Sequence, residues 1–277
     1  MTKPNPKPGK ILDLEQVIDS LPERDFTIGF GGVTLYRRPM AFALACLERY
    51  QNTGQLNQLT LLNFTAGVES DILVGAGMIS RVRTCYFGLE IFGLAPYFST
   101  AAGSGQIEII EETEASLAFG MRASMSGVGF MPSTAWIGTD LPGLRPDVKT
   151  VSDPYSGEEL TAFPAIDCDV AVLHALQADP MGNAVLGTNL GVDRELAMIS
   201  NRVIITAEEI VPYLDKADII APVVDAVVHT PRGAWPTSCH PNYPLEGSEI
   251  LAYSSKAGGD DYPELIANWM KVHDLQE

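Results

Sequence analysis

The residues of this 277-residue chain best placed to do chemistry are two glycines at the exit of a strand candidate and two arginines just beyond them. The run Thr27-Ile-Gly-Phe-Gly-Gly-Val33 ends an apolar segment in Gly31 and Gly32. A strand that stops in glycine leaves backbone N–H groups able to face a crevice at the carboxyl end of a sheet. Donors of that kind hold an oxyanion or a phosphate; a tight turn that binds nothing is the equal alternative. Arg37 and Arg38 follow, as forks for a substrate carboxylate or as salt bridges to the chain's own acids. Glu90 leaves another strand candidate behind Gly88, on an active-site rim or in a structural hydrogen bond. Glu114 opens a helix candidate after Thr113, where the helix dipole favours a carboxylate.

Other signatures are missing. The chain has no GxxxxGK[ST] loop, HExxH, GxSxG elbow or EF-hand loop, and the Gly31 turn lacks the third glycine of the dinucleotide fingerprint. The histidines at 174, 229, 240 and 273 are too scattered to propose a metal centre, and His174 and His229 read as core or rim residues at strand ends. Cys46, Cys85, Cys168 and Cys239 form no CxxC pair, so they read as buried thiols rather than a zinc site or a disulfide framework.

Positioning these residues requires elements of two periods. Strands are expected at 26–30, 59–64, 83–87, 106–110, 170–174, 203–206 and 223–229, and helices at 39–50, 114–125 and 263–272. Strands apolar on both faces, alternating with helices, predict an α/β fold with an open, mainly parallel sheet flanked by helices. Met131–Pro164, dense in proline, reads as a long irregular excursion closed by a hairpin turn at 153–160. Glu208 and Glu209 fit a helix N-terminus. Residues 1–10 read as a flexible tail, and 11–277 as a single domain.

Composition narrows the partners. With 18 Lys+Arg against 35 Asp+Glu the net charge is −17, most of it after residue 150. Such a chain repels nucleic acid and anionic membranes, and no apolar run approaches the roughly 18–20 residues of a membrane span. A cytoplasmic location is expected.

The turn has a wider context. Thr27–Phe42 resembles the first signature of class I coenzyme A transferases, in the form found in the A (alpha) subunits of glutaconate-type enzymes. Four further segments resemble that family in the same order: Tyr86–Pro96, Phe130–Asp140, Asp169–Asn183 and Val224–Cys239. The similarity runs from about residue 20 to about residue 245. It implies an open α/β chain that pairs with a B subunit, in a heterodimer or A2B2 heterotetramer, with the active site at their junction. Coenzyme A is then a substrate, with no tightly bound cofactor and no metal. In the family a B-subunit glutamate, in a Ser-Glu-Asn-Gly motif absent here, attacks the thioester.

The implied function is that of an A subunit transferring CoA from a small acyl-CoA, dicarboxylic ones included, to a carboxylic acid. Gly31, Gly32, Arg37 and Arg38 then line the acyl or CoA pocket, with Glu90 on the rim. A second reading is a CoA-ester hydrolase or decarboxylase on the same scaffold; relatives that hydrolyse a ring-containing CoA ester use a glutamate that matches Glu114 and an arginine that matches Thr134, a departure that weakens the hydrolase form. The resemblance also implies architecture and interface for His174, Gln177, Asp179, Gly182 and Asn183, and a partner-facing or site-covering surface for Gly233–Cys239. A non-catalytic acyl-CoA binding protein is a third reading.

Overall fold

The computed structural model of the chain describes residues 9–275. Its first half alternates α1 (Leu14–Asp19), β1 (Thr27–Phe30), α2 (Met40–Thr53), β2 (Leu59–Ala66), α3 (Val68–Gly75), β3 (Ile79–Phe87), α4 (Pro96–Ser104), β4 (Glu108–Glu111) and α5 (Glu114–Met125). An inserted unit follows: β5 (Phe130–Ser133), α6 (Leu141–Leu144), β6 (Lys149–Ser152) and β7 (Glu159–Pro164). The main sheet resumes with β8 (Cys168–Ala178), β9 (Ala184–Val185), α7 (Asp193–Ile199), β10 (Ser200–Ile210) and β11 (Ala226–His229), before α8 (Gly247–Lys256) and α9 (Tyr262–Val272).

The main sheet has the order β11-β10-β8-β1-β2-β3-β4, with every neighbouring pair parallel and β9 folded back on β8. This is the expected mainly parallel α/β sheet. Its central strands are apolar on both sides because helices cover both faces. One core packs α1, α2, α3, α8 and α9 against the sheet, the other α5 and α7. Helix α2 is buried throughout Met40–Leu47 and stops where Gly54, at φ 70°, donates its N–H to Tyr50 O. Only a residue at ease in the left-handed region ends a helix this way.

Three expectations need correction. The excursion at 131–164 is a three-stranded antiparallel sheet, β5-β7-β6, around Trp136, Val148 and Phe163. Its strands are short, and Pro132 sits on edge strand β5, where a missing N–H is tolerated; that is why periodicity hid it. The turn at 153–160 is present, Asp153 Oδ1 accepting the N–H groups of Tyr155 (2.7 Å) and Ser156 (3.1 Å). Glu208 and Glu209 begin no helix: they lie within β10. Of the expected tail, residues 1–8 lie outside the described residues, and Lys10 is tied down, its N–H on Pro180 O and its ammonium on Ala221 O and Val224 O.

Candidate active site

The chain leaves β1 toward β2 on one side, while β8 lies on the other, so the β1–β8 boundary is the topological switch point where open α/β sheets usually bind ligands. Gly31 and Gly32 stand there, but their N–H groups are used internally, Gly31 N–H on Val172 O (2.9 Å) and Gly32 N–H on Asp193 Oδ1 (2.9 Å). A Cβ on Gly31 would fall 2.4 Å from Leu173 Cδ2, and one on Gly32, at φ 85°, 2.5 Å from Tyr36 O. Close packing, not ligand space, requires these glycines.

The arginines complete the plug. Arg37 is fully buried, donating to His174 O (2.7 Å), Asn189 O (2.8 Å) and Asp193 Oδ2 (2.7 Å). Arg38, equally buried, donates to Gly32 O (3.0 Å) and pairs with Glu69. The reading of Gly31, Gly32, Arg37 and Arg38 as pocket-lining groups gives way to internal salt bridges, because Asp193 and Glu69 reach the guanidinium groups first. Gly233, Ala234, Pro236, Thr237 and Cys239 are buried or nearly so, and the expected partner-facing block is largely interior.

The exits of β3 and β4 are different. Both lie on the same carboxyl edge of the parallel sheet, on neighbouring strands spaced about 4.8 Å apart. After β3 the chain turns through Gly88, where a Cβ would meet Tyr86 Oη at 2.6 Å, to Glu90, exposed and at φ 56°. The Glu90 N–H reaches Tyr86 Oη at 3.3 Å. Beyond it Ile91 is 92% and Leu94 74% exposed.

After β4, buried Glu112 accepts from Arg83 (2.7 Å) and Arg145 (2.9 Å), and Arg145 also bonds Glu111 O (2.8 Å). Thr113 then caps α5, its hydroxyl oxygen accepting from Ser116 N–H (3.1 Å) and Trp136 Nε1 (2.9 Å). Glu114, the first helical residue, is exposed at the positive end of α5. Thr134 is exposed in the turn after β5, two residues before the Trp136 that braces Thr113.

The structure thus brings Glu114 and Thr134 to one end of α5, puts Glu90 on the adjacent strand exit, and separates all three from the glycine–arginine plug. Sequence reasoning placed Cys85 among the buried thiols; it is half-buried on β3, donating to Phe64 O at 2.9 Å. Burial, and then the Glu114 charge, push its thiol up to about 11, so it stays protonated; its nearness to Glu114 was not legible from spacing. Two clefts lie elsewhere, about 750 Å³ beside α1, α2 and His229, and about 320 Å³ among α2, α3 and α9. The β3–β4 rim presents exposed carboxylates and apolar side chains.

Residues 23–229 match the family model of coenzyme A transferases. The chain belongs to that family. It is 35% identical over 192 residues to the A subunit of 3-oxoadipate CoA-transferase from Pseudomonas knackmussii, covering 67% of this chain and 68% of that protein. It is 30% identical over 255 residues to the cholesterol ring-cleaving hydrolase IpdA subunit of Mycobacterium tuberculosis, covering 85% and 84%. Among solved structures, the decarboxylase AibA/AibB superposes with a TM-score of 0.87 at 27% identity over 95% of this chain and 99% of that one. Glutaconate coenzyme A-transferase of Acidaminococcus fermentans gives 0.83 at 26% identity, over 97% and 90%. One scaffold therefore carries proteins named for transfer, hydrolysis and decarboxylation, and the family alone does not choose among them.

Proposed function

We propose that this chain is the A subunit of a heteromeric acyl-CoA:carboxylate CoA-transferase acting on a small acyl-CoA, dicarboxylic ones included, in the cytoplasm, a B subunit supplying the attacking glutamate. The observation that carries this reading is the uncovered β3–β4 rim: Glu90 leaves β3 next to exposed Ile91 and Leu94, exposed Glu114 follows β4, and a second chain is what would enclose them. The two-subunit pairing follows the named relatives. The cytoplasmic placement is supported by four free cysteines; among the described residues no helix is long and apolar enough to cross a membrane.

In this reading the partner's carboxylate attacks the thioester carbonyl and expels CoA thiolate, leaving an acyl-glutamyl anhydride. The thiolate then attacks the glutamyl carbonyl of the anhydride, releasing the first acid and leaving CoA on the glutamate as a thioester. The acceptor carboxylate attacks the glutamyl carbonyl and expels CoA thiolate, and the thiolate then attacks the acceptor carbonyl of the new anhydride, releasing the glutamate carboxylate. This chain's part is positional. Glu90 and Glu114 border the rim on which the acyl-CoA is held, and the apolar side chains of the rim exclude water that would hydrolyse the anhydride.

A second reading, hydrolysis with Glu114 as base, is favoured by the exposure of Glu114 at the rim and by the hydrolase relative; Thr134 supplies no cation beside it. The test is co-purification of the native heteromer, followed by exposure to acyl-CoA and then borohydride, which reduces a glutamyl thioester. Acceptor-dependent CoA transfer with one reduced glutamate on the partner chain is expected. Release of free CoA without an acceptor supports hydrolysis, and transfer by the isolated chain overturns the division of labour.

A further inference from the structure

His174 near the end of β8 and Glu208 near the end of β10 face one another across a parallel pair, and the loop after β11 brings Cys239 and Tyr243 onto them. One donor atom each from His174, Glu208 and Cys239 lies within 4.8 Å of the others, in a place where His174 and Cys239 have no solvent exposure. His174 Nε2 is 2.7 Å from Glu208 Oε1, and Nδ1 is 2.9 Å from Thr206 Oγ1. Tyr243 donates its hydroxyl to the same Glu208 oxygen, and Arg232 N–H donates to the other at 2.7 Å.

Charge balance sets this cluster apart. Among the described residues the Glu208 carboxylate meets an imidazole, a phenol and an amide but no Lys or Arg side chain. Arg37, which touches His174 O, is committed to Asp193, and the Arg232 guanidinium lies over the rings of Trp235 and Tyr243. Here the carboxylate's pairing partner is His174, and a metal ion held between the two would take over that role.

We propose that His174 Nε2, a Glu208 carboxylate oxygen and Cys239 Sγ bind a zinc ion that staples the loop after β11 to the carboxyl ends of β8 and β10. One nitrogen, one oxygen and one sulfur are a zinc donor set, with a fourth position left open. On metal binding the proton that Nε2 holds toward Glu208 would pass to Nδ1, where Thr206 Oγ1 accepts it, while Tyr243 and Arg232 N–H orient the carboxylate. The Cys239 thiol gives up its proton when sulfur binds the metal. Tetrahedral zinc separates its N and O ligands by about 3.3 Å, so the His174–Glu208 contact opens by roughly half an ångström. The consequence reaches the β1 turn, since Ser238 O accepts Arg37 N–H (2.7 Å) and Ser238 N–H bonds Leu35 O (2.9 Å). No residue of this site lies on the β3–β4 rim, so it stands or falls apart from the transfer reading.

The test uses the full chain, purified without a histidine tag, reduced, and assayed by elemental analysis. About one zinc per chain is expected, with a rise in melting temperature when zinc is returned to chelator-treated protein. Cobalt should give a sulfur-to-cobalt charge-transfer band that Cys239→Ala lacks. Metal-free protein after zinc supplementation, with no thermal shift and no cobalt band, overturns the proposal. A cobalt band that survives in Cys239→Ala overturns it as well, since the ion would then sit on Cys46, Cys85 or Cys168. Were Cys239→Ala not to fold, the wild-type cobalt spectrum and metal content still decide.

Discussion

The β1–β8 switch point and the β3–β4 rim lie on the same edge of one sheet and have been put to opposite uses. At the switch point two guanidinium groups are sealed with Asp193 and Glu69, and the glycines pack against side chains. At the rim the carboxylates are exposed and apolar residues face outward. Position at a strand's carboxyl end therefore does not by itself make a binding site: a charged residue there binds a ligand only where the chain has not already supplied its counter-charge.

The strongest way to break this contrast is Asp193→Ala, which leaves Arg37 buried without its carboxylate and Gly32 N–H without an acceptor. A loss of about 3–5 kcal/mol in urea unfolding is expected; a loss within experimental error would mean that the switch point is not held by charge.

A buried carboxylate without a guanidinium sharpens it further. Asp71 accepts from Phe98 N–H (2.6 Å) and Tyr253 Oη (2.7 Å), yet burial outweighs these bonds and pushes its pKa up to about 6. The folded state thus holds a proton that the unfolded chain releases near pH 4, so this stabilisation is present below about pH 4 and is lost as pH rises through about 6. Between those limits wild type should lose about 3 kcal/mol relative to Asp71→Asn. Parallel stability–pH curves for the two proteins would show that Asp71 titrates normally.

At the rim the effects are smaller. Thr113→Ala removes the α5 cap and the Trp136 acceptor and should cost about 1–2 kcal/mol in thermal unfolding. Ile91→Asp combined with Leu94→Asp should change the isolated chain's stability by less than about 0.5 kcal/mol while weakening assembly with the partner about tenfold or more, read by sedimentation. Unchanged assembly would place the companion chain on another face.

Much of this was legible locally. Helix α5 begins at Glu114 as read, because Thr113 is a good cap and its bond to Ser116 N–H needs no distant partner. Strands β1, β2 and β8 were located because burial on both faces leaves continuous apolar runs. The inserted sheet was not legible, since Trp136, Val148 and Phe163 make a core only when three short strands meet. Nor was the commitment of Arg37 and Arg38, whose partners stand 156 and 31 residues away.

By itself the sequence determined the parallel α/β architecture, the acidic surface and the family, because periodicity, composition and ordered motifs are properties of neighbours along the chain. Tertiary structure alone decided which charged groups remain free and which are sealed, and it assembled His174, Glu208 and Cys239 from three segments. The physical reason is that a charge is disposed of by whichever opposite group lies within a few ångströms in space, and that proximity is created by folding.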